Sequence, residues 1–141
     1  MVADGKSKAE RIDRILSQLM ANGYSLNGCV VINERGLVVA HKSQVALSGA
    51  MLAAMVALAS KTAFRINENL ALGNFEAVSI TSSDGFLSVC DFPVGEKVFR
   101  IGAITASRYK RRYFRKRRLE PSILEKDLRT AALQIREVLK S

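Results

Sequence analysis

The first apolar positions of the chain recur at the spacing of an amphipathic helix. Ser7 and Glu10 stand just before this stripe at the spacing of a capping box, in which hydroxyl and carboxylate each cap a free backbone amide. Gly23 follows the stripe and is the kind of residue at which helices end. The pattern therefore predicts a first helix whose buried stripe is Ile12, Ile15, Leu16 and Leu19.

Two unbroken apolar runs follow, at 28–32 and 37–40, separated by a polar stretch that ends in Gly36. The intervening residues supply turn chemistry at hairpin length, so the runs are predicted to be two adjacent strands. Runs that do not alternate with polar residues indicate a sheet covered on both faces. We therefore expect a sheet that lies between layers of helix.

A second helix is predicted at about 45–64, and its middle, 50–59, is apolar around the full circumference. A surface helix has a polar face, and this one has none before Lys61 and Arg65. One side can pack on the sheet, but a chain of this length leaves little to cover the other side. We therefore predict homodimerisation through this helix, with a core helix under a long loop as the alternative. The predicted interface residues on the helix are Ala50, Met51, Ala54, Met55 and Leu58.

Three more strands are predicted at 75–80, 86–90 and 98–104, joined by turns at Asp84-Gly85 and around Pro93 and Gly95. They are expected to form an antiparallel meander. Pro121 is then expected to close one element, and the Ser-x-x-Glu spacing at 122–125 to cap a last helix. The buried stripe of that helix is predicted to be Leu124, Leu128, Ala131, Ile135, Val138 and Leu139.

Charge is concentrated in one segment of the chain. The 141 residues include 22 Lys and Arg against 13 Asp and Glu, a formal charge of +9. Eight of the basic residues lie within 108–118 with no acid among them, and without them 14 basic residues oppose 13 acidic ones. The length fits a single domain, 1–141, that carries a basic insertion at 107–118 before the last helix.

Composition excludes several classes of protein. Two cysteines, Cys29 and Cys90, are too few for a disulfide framework, and both lie in apolar runs, so we expect reduced core thiols. The polar N-terminal residues lack the apolar stretch of a signal peptide, which predicts a cytoplasmic protein. The longest uncharged stretch, 44–60, is 17 residues and contains polar positions, so we expect no membrane span.

Catalytic motifs are missing from the sequence. The one histidine, His41, has no recognisable nucleophile motif near it, and no phosphate loop or pair of histidines at metal-ligand spacing occurs. Asp91, which lies in an apolar setting, is expected to make a side-chain hydrogen bond. We therefore assign no catalytic, cofactor-binding or metal-binding residue and expect no cofactor and no enzyme.

The order helix, two strands, helix, three strands, helix resembles the roadblock / dynein light chain family. The resemblance rests on the glycine, strand, turn and strand pattern at 28–40, the alanine-rich helix at 50–59 and the hairpin at 83–85. Profilin-like and longin folds share part of this order and remain alternatives. The resemblance implies an α+β fold with a five-stranded antiparallel sheet in the order 2-1-5-4-3. The second helix would cover one face and the terminal helices the other.

Family members dimerise by pairing their second helices and third strands into a ten-stranded sheet, which would add Phe75 and Ala77 to the predicted interface. They are generally regulators or scaffolds of Ras-like GTPases and not enzymes. The resemblance thus implies a homodimeric regulator or scaffold with a Ras-like GTPase partner.

The basic segment is no standard part of that family. Its cations alternate with aromatic side chains, which suits phosphate pairing with base stacking or an anionic lipid surface. Three interpretations stay open: a solvated helical extension, a nucleic-acid-binding arm, and a contact for an acidic protein or anionic membrane. The candidate polyanion-binding residues are Arg108, Tyr109, Lys110, Arg111, Arg112, Tyr113, Arg115, Lys116, Arg117 and Arg118.

Overall fold

The computed structural model describes residues 7–21, 26–43, 47–106 and 121–141. The elements follow the predicted order, helix, two strands, helix, three strands, helix. They are α1 (Lys8–Ala21), β1 (Gly28–Ile32), β2 (Val38–Ser43), α2 (Gly49–Asn69), β3 (Ala77–Ser82), β4 (Gly85–Val94), β5 (Lys97–Ala106) and α3 (Pro121–Lys140). The basic segment and Gly23 lie outside the described residues.

The five strands form one antiparallel sheet in the order β2-β1-β5-β4-β3, as the resemblance implied. Alternate residues of the central strands point to opposite faces of the sheet and pack into two separate hydrophobic cores. Cys29 and Val31 pack with α1 and α3 on one face, whereas Val30 and Ile32 pack with α2 on the other. Every residue of β1 is buried, which confirms the prediction drawn from its unbroken apolar run.

The same prediction is wrong for the second strand. Strand β2 is the outermost strand, and the side chains of Leu37, Val38 and Val39 are 57%, 44% and 36% exposed. An apolar run indicates a β-strand, but it does not show whether that strand is central or at the edge of the sheet. The sheet therefore ends in an apolar edge.

The helix ends explain where the elements start. The capping box of α1 forms as predicted: the amide of Glu10 donates to Ser7 Oγ at 3.1 Å, and the amide of Ser7 donates to Glu10 Oε1 at 3.2 Å. Helix α3 begins at Pro121, one residue before the predicted capping residue Ser122. Proline suits the first helical position, since its missing N–H would have no helical partner there.

Helix α2 runs to Asn69, five residues beyond its predicted end. It starts after Ser48, whose Oγ accepts a hydrogen bond from the amide of Met51 at 3.2 Å. It lies directly on the sheet at Gly102 of β5, where an added Cβ would collide with Val56. This close approach fixes which side of α2 faces the sheet and which faces away.

Candidate interaction surface

One face of α2 is apolar and uncovered. Its sheet-facing side is buried through Leu52, Ala53, Val56, Ala59, Ser60 and Ala63. On the opposite side Met51, Met55 and Leu58 are 57%, 43% and 58% exposed, and Ala50 and Ala54 are exposed beside them. The structure thus brings the five predicted helical interface residues together on one surface, which we call the α2 face.

Among the described residues, α2 is the one helix that is long and apolar enough to cross a membrane. Six of its residues are buried within the protein, so one side of this helix is covered.

Strand β3 forms the other edge of the sheet. It pairs with β4, and within the described residues no strand lies on its outer side. Phe75 and Ala77, the two strand residues predicted for the interface, are half-buried, and Ala77 packs towards the core under α1 and α3. The side chain of Ala77 therefore faces away from α2.

Two other β3 side chains lie on the α2 side of the sheet. Val78 packs against the α2 core, and Ile80, two residues later on the same face, is 49% exposed. Sequence reasoning missed Ile80, although the spacing of Val78 and Ile80 against polar neighbours was the available signal. It also missed Ile66, 49% exposed, because the predicted helix ended too early.

A polar cluster lies between α2 and the sheet. The hydroxyl of Ser60, which is fully buried, donates to Oδ1 of Asp91 at 3.3 Å. The same oxygen lies 3.2 Å from Nε of Arg100, close enough for an ion pair, although the N–H does not point at it well enough for a hydrogen bond. The hydrogen bond expected for Asp91 is thus present, and its partner is a residue of α2.

Burial raises the pKa of the Asp91 carboxyl above its ordinary value, and Arg100 and Ser60 only partly offset that effect. Burial also raises the pKa of both thiols, Cys29 and Cys90, to about 12. Such thiols are poor nucleophiles because the thiolate is the reactive form. We therefore interpret the polar cluster and the cysteines as parts of the core.

The remaining candidate chemistry is sparse. His41 lies exposed on β2. No group of three His, Cys, Asp or Glu side chains that could hold a metal ion occurs in the part of the chain that the structure describes. The ten candidate polyanion-binding residues at 108–118 all fall outside that part, so their role stays a prediction.

Sequence comparison identifies no relatives: no family model matches the chain, and no curated protein is significantly similar to it. Comparison of folds finds solved structures that are similar to it. The chain has the Roadblock/LC7 fold, and its five-stranded sheet and helix layers match those of solved structures of this class.

Three such structures show the extent of the match. The Roadblock/LC7 domain from Streptomyces avermitilis is similar with a TM-score of 0.72 and 14% identity, over 92% of this chain and 98% of that one. The gliding protein MglB from Thermus thermophilus is similar with a TM-score of 0.69 and 14% identity, over 94% of this chain and 91% of that one. A structure of MglB with a tetrameric arrangement is similar with a TM-score of 0.70 and 15% identity, over 94% of this chain and 90% of that one. At these identities the likeness establishes the fold.

Proposed function

We propose that this chain is a non-enzymatic, homodimeric regulator or scaffold that binds a Ras-like small GTPase in the cytoplasm. The observation that carries the proposal is the α2 face, an exposed apolar surface beside β3, whose outer side pairs with no other strand of the described residues. Large exposed apolar patches on a soluble fold mark interaction surfaces.

A second copy of the chain fits this surface. Ala50 and Ala54 allow two helices to approach closely, while Met51, Met55 and Leu58 supply apolar area to bury. The outer side of β3 can pair with its symmetry mate, because antiparallel strands satisfy each other's free backbone groups about a two-fold axis. The tetrameric arrangement of MglB is a precedent for self-association on this fold.

The partner class rests on the fold. Roadblock-like proteins regulate or scaffold Ras-like GTPases, and the resemblance drawn from residues 28–40 and 50–59 agrees with the Roadblock/LC7 fold found here.

The test of the homodimer compares two single substitutions by size-exclusion chromatography with light scattering. Ala54→Glu places a charge in the middle of the α2 face and should convert a dimer into a monomer. Leu133→Glu is the matched control, because Leu133 is exposed on α3, on the other side of the sheet. A dimer that survives Ala54→Glu, or that Leu133→Glu dissociates equally, contradicts the assignment.

The GTPase partner is tested by pull-down of Ras-like GTPases from the organism that encodes this chain, each loaded with GDP or a non-hydrolysable GTP analogue. We expect retention that depends on the nucleotide. Equal retention in both states, or none for any of them, argues against a GTPase regulator.

The alternative function is binding of nucleic acid, or of an anionic membrane, through the basic segment, where eight cations lie within 108–118. If about six of them meet phosphates, log affinity for duplex DNA should fall against log salt with a slope of about −5. Anionic vesicles, but not neutral ones, should co-sediment with the protein if the partner is a membrane. Binding that survives replacement of Arg111, Arg112, Arg115 and Arg117 by Ala excludes both.

A further inference from the structure

A cleft of about 350 Å³ opens between the β1–β2 turn and the second half of α2. The turn contributes residues 34–36 to one wall, and α2 contributes Ala57, Lys61 and Phe64 to the other. Arg100 of β5 also lines the cleft. The size lies at the lower end of ligand pockets, which suits a few side chains of a partner.

The cleft has an excess of positive charge. Its one acid, Glu34, has Oε2 at 3.6 Å from Nζ of Lys97, and Arg100 is paired with Asp91. Within the described ranges no carboxylate lies at ion-pair distance from Arg35 or Lys61. Both side chains are exposed, one on each wall, so the cleft presents two uncompensated cations.

The backbone of the turn offers little to an anion. The amides of Arg35 and Leu37 donate to Oδ1 of Asn33 at 2.9 and 3.0 Å, and the amide of Gly36 donates to the Asn33 carbonyl at 2.9 Å. Phosphate cradles are built from several free amides that converge on one point. Because these three are occupied, recognition here falls to the side chains, which favours separate carboxylates over a phosphate.

The cleft also has an apolar wall. Phe64 is 51% exposed, and Ala57 is half-buried beside it. Positions 57, 61 and 64 share one side of α2 and continue the stripe that Ala50 and Ala54 begin, so the cleft adjoins the α2 face.

We infer that this cleft binds an acidic segment of a partner protein, in which two carboxylates flank an apolar side chain. Arg35 and Lys61 pair with the carboxylates, and Phe64 contacts the apolar group. Arg100 also lines the cleft, and because it is paired with Asp91 the excess charge belongs to Arg35 and Lys61. The inference deepens the proposed function and rests on it in taking the occupant to be a protein.

The test titrates the full chain, labelled with ¹⁵N, with a short synthetic peptide that carries one glutamate on each side of a leucine. We expect amide shifts at Gly36, Lys61 and Phe64. The double variant Arg35→Glu/Lys61→Glu should weaken binding at these amides about tenfold, since it replaces two attractions by repulsions.

The matched control, Lys126→Glu/Lys140→Glu, makes the same change of net charge at two exposed positions of α3 and should leave the affinity within about twofold. The inference is overturned if the cleft amides do not shift, or if the control weakens binding as much as the cleft variant. A stronger response of the same amides to inorganic phosphate at equal ionic strength overturns the choice of carboxylates. Because no GTPase is present, this result and the pull-down can fail independently.

Discussion

Asp91 and Arg100 face each other across the β4–β5 ladder, with Oδ1 of the carboxylate 3.2 Å from Nε of the guanidinium. Both side chains are mostly buried, at 15% and 21% exposure. The pair lies beneath α2, and Ser60 joins it to that helix. A charged pair thus connects the sheet to the layer that carries the candidate interface.

Removing both members of this pair should cost less unfolding free energy than the two single removals added together. Asp91→Ala leaves the guanidinium without its counter-charge, and we expect a loss of about 2 kcal/mol of unfolding free energy. Because an isolated buried charge is the main penalty, Asp91→Ala/Arg100→Ala should cost less than the sum of the two single changes. Urea denaturation of the four proteins measures this coupling, and strict additivity would show that the two groups do not interact.

The pH dependence of stability should carry the signature of Asp91. Burial raises the pKa of its carboxyl in the folded state above the ordinary value of 3.8, so the folded protein binds the proton more tightly than the unfolded chain. Between those two pKa values unfolding releases a proton, and the contribution of Asp91 to stability is lost as pH rises through this window. The difference in unfolding free energy between the protein and Asp91→Asn should therefore change with pH there. A flat difference contradicts the raised pKa.

The contact between α2 and β5 should tolerate no side chain at position 102. In Gly102→Ala the new Cβ would meet Val56, which is buried and held in a narrow range of rotamers by its branched side chain in a helix. We expect a loss of about 2 kcal/mol from overpacking. Val56→Ala in the same chain should restore part of it, as measured by thermal unfolding; a double variant that shows the full sum places the strain elsewhere.

Both cysteines should be inert in the folded protein. With burial raising the pKa of each thiol to about 12, almost no thiolate is present at about pH 8. Ellman's reagent should detect neither thiol in native buffer and both in denaturant. Rapid labelling of the native protein would show that one side of the sheet opens readily.

Within the proposed dimer, the edge of β3 should matter as well as the helix. Ile80→Lys places a charge on a half-exposed apolar position on the α2 side of the sheet and should raise the dimer dissociation constant. Thr81→Lys, on the neighbouring position that points to the other face, is the control. Analytical ultracentrifugation across a range of concentrations compares the two, and equal effects would argue against a role for that face.

Element order and the layers of the fold could be predicted from the sequence because they follow local patterns. The spacing of Ser7 and Glu10 predicts a capping box that the structure contains, and the unbroken run at 28–32 becomes the fully buried β1. Periodicity indicates which residues share a face. It also identified the α2 face, because an apolar helix without a polar side is visible in the sequence itself.

What could not be predicted depends on contacts distant along the chain. The direction of Ala77 and the ion pair of Asp91 with Arg100 follow from strand pairing and register. The cleft at Arg35 and Lys61 joins a turn to a helix more than twenty residues away, so no local motif indicates it. Long-range pairing carries this information, and a single sequence does not show it.

The exposed β2 edge bears on whether dimers of this chain would associate edge to edge. A dimer joined through β3 has β2 as the outermost strand at both ends, and by symmetry each end carries the exposed row Leu37, Val38 and Val39. Pairing of such ends would repeat from dimer to dimer without closing, as in a growing fibre. Two features oppose this: the register shift between β1 and β2, which falls beside Val39, and the charge of Lys42, held 3.1 Å from Asp13. The irregular pairing of β1 with β2 and the charged side chain of Lys42 thus oppose the addition of further dimers at the β2 edge.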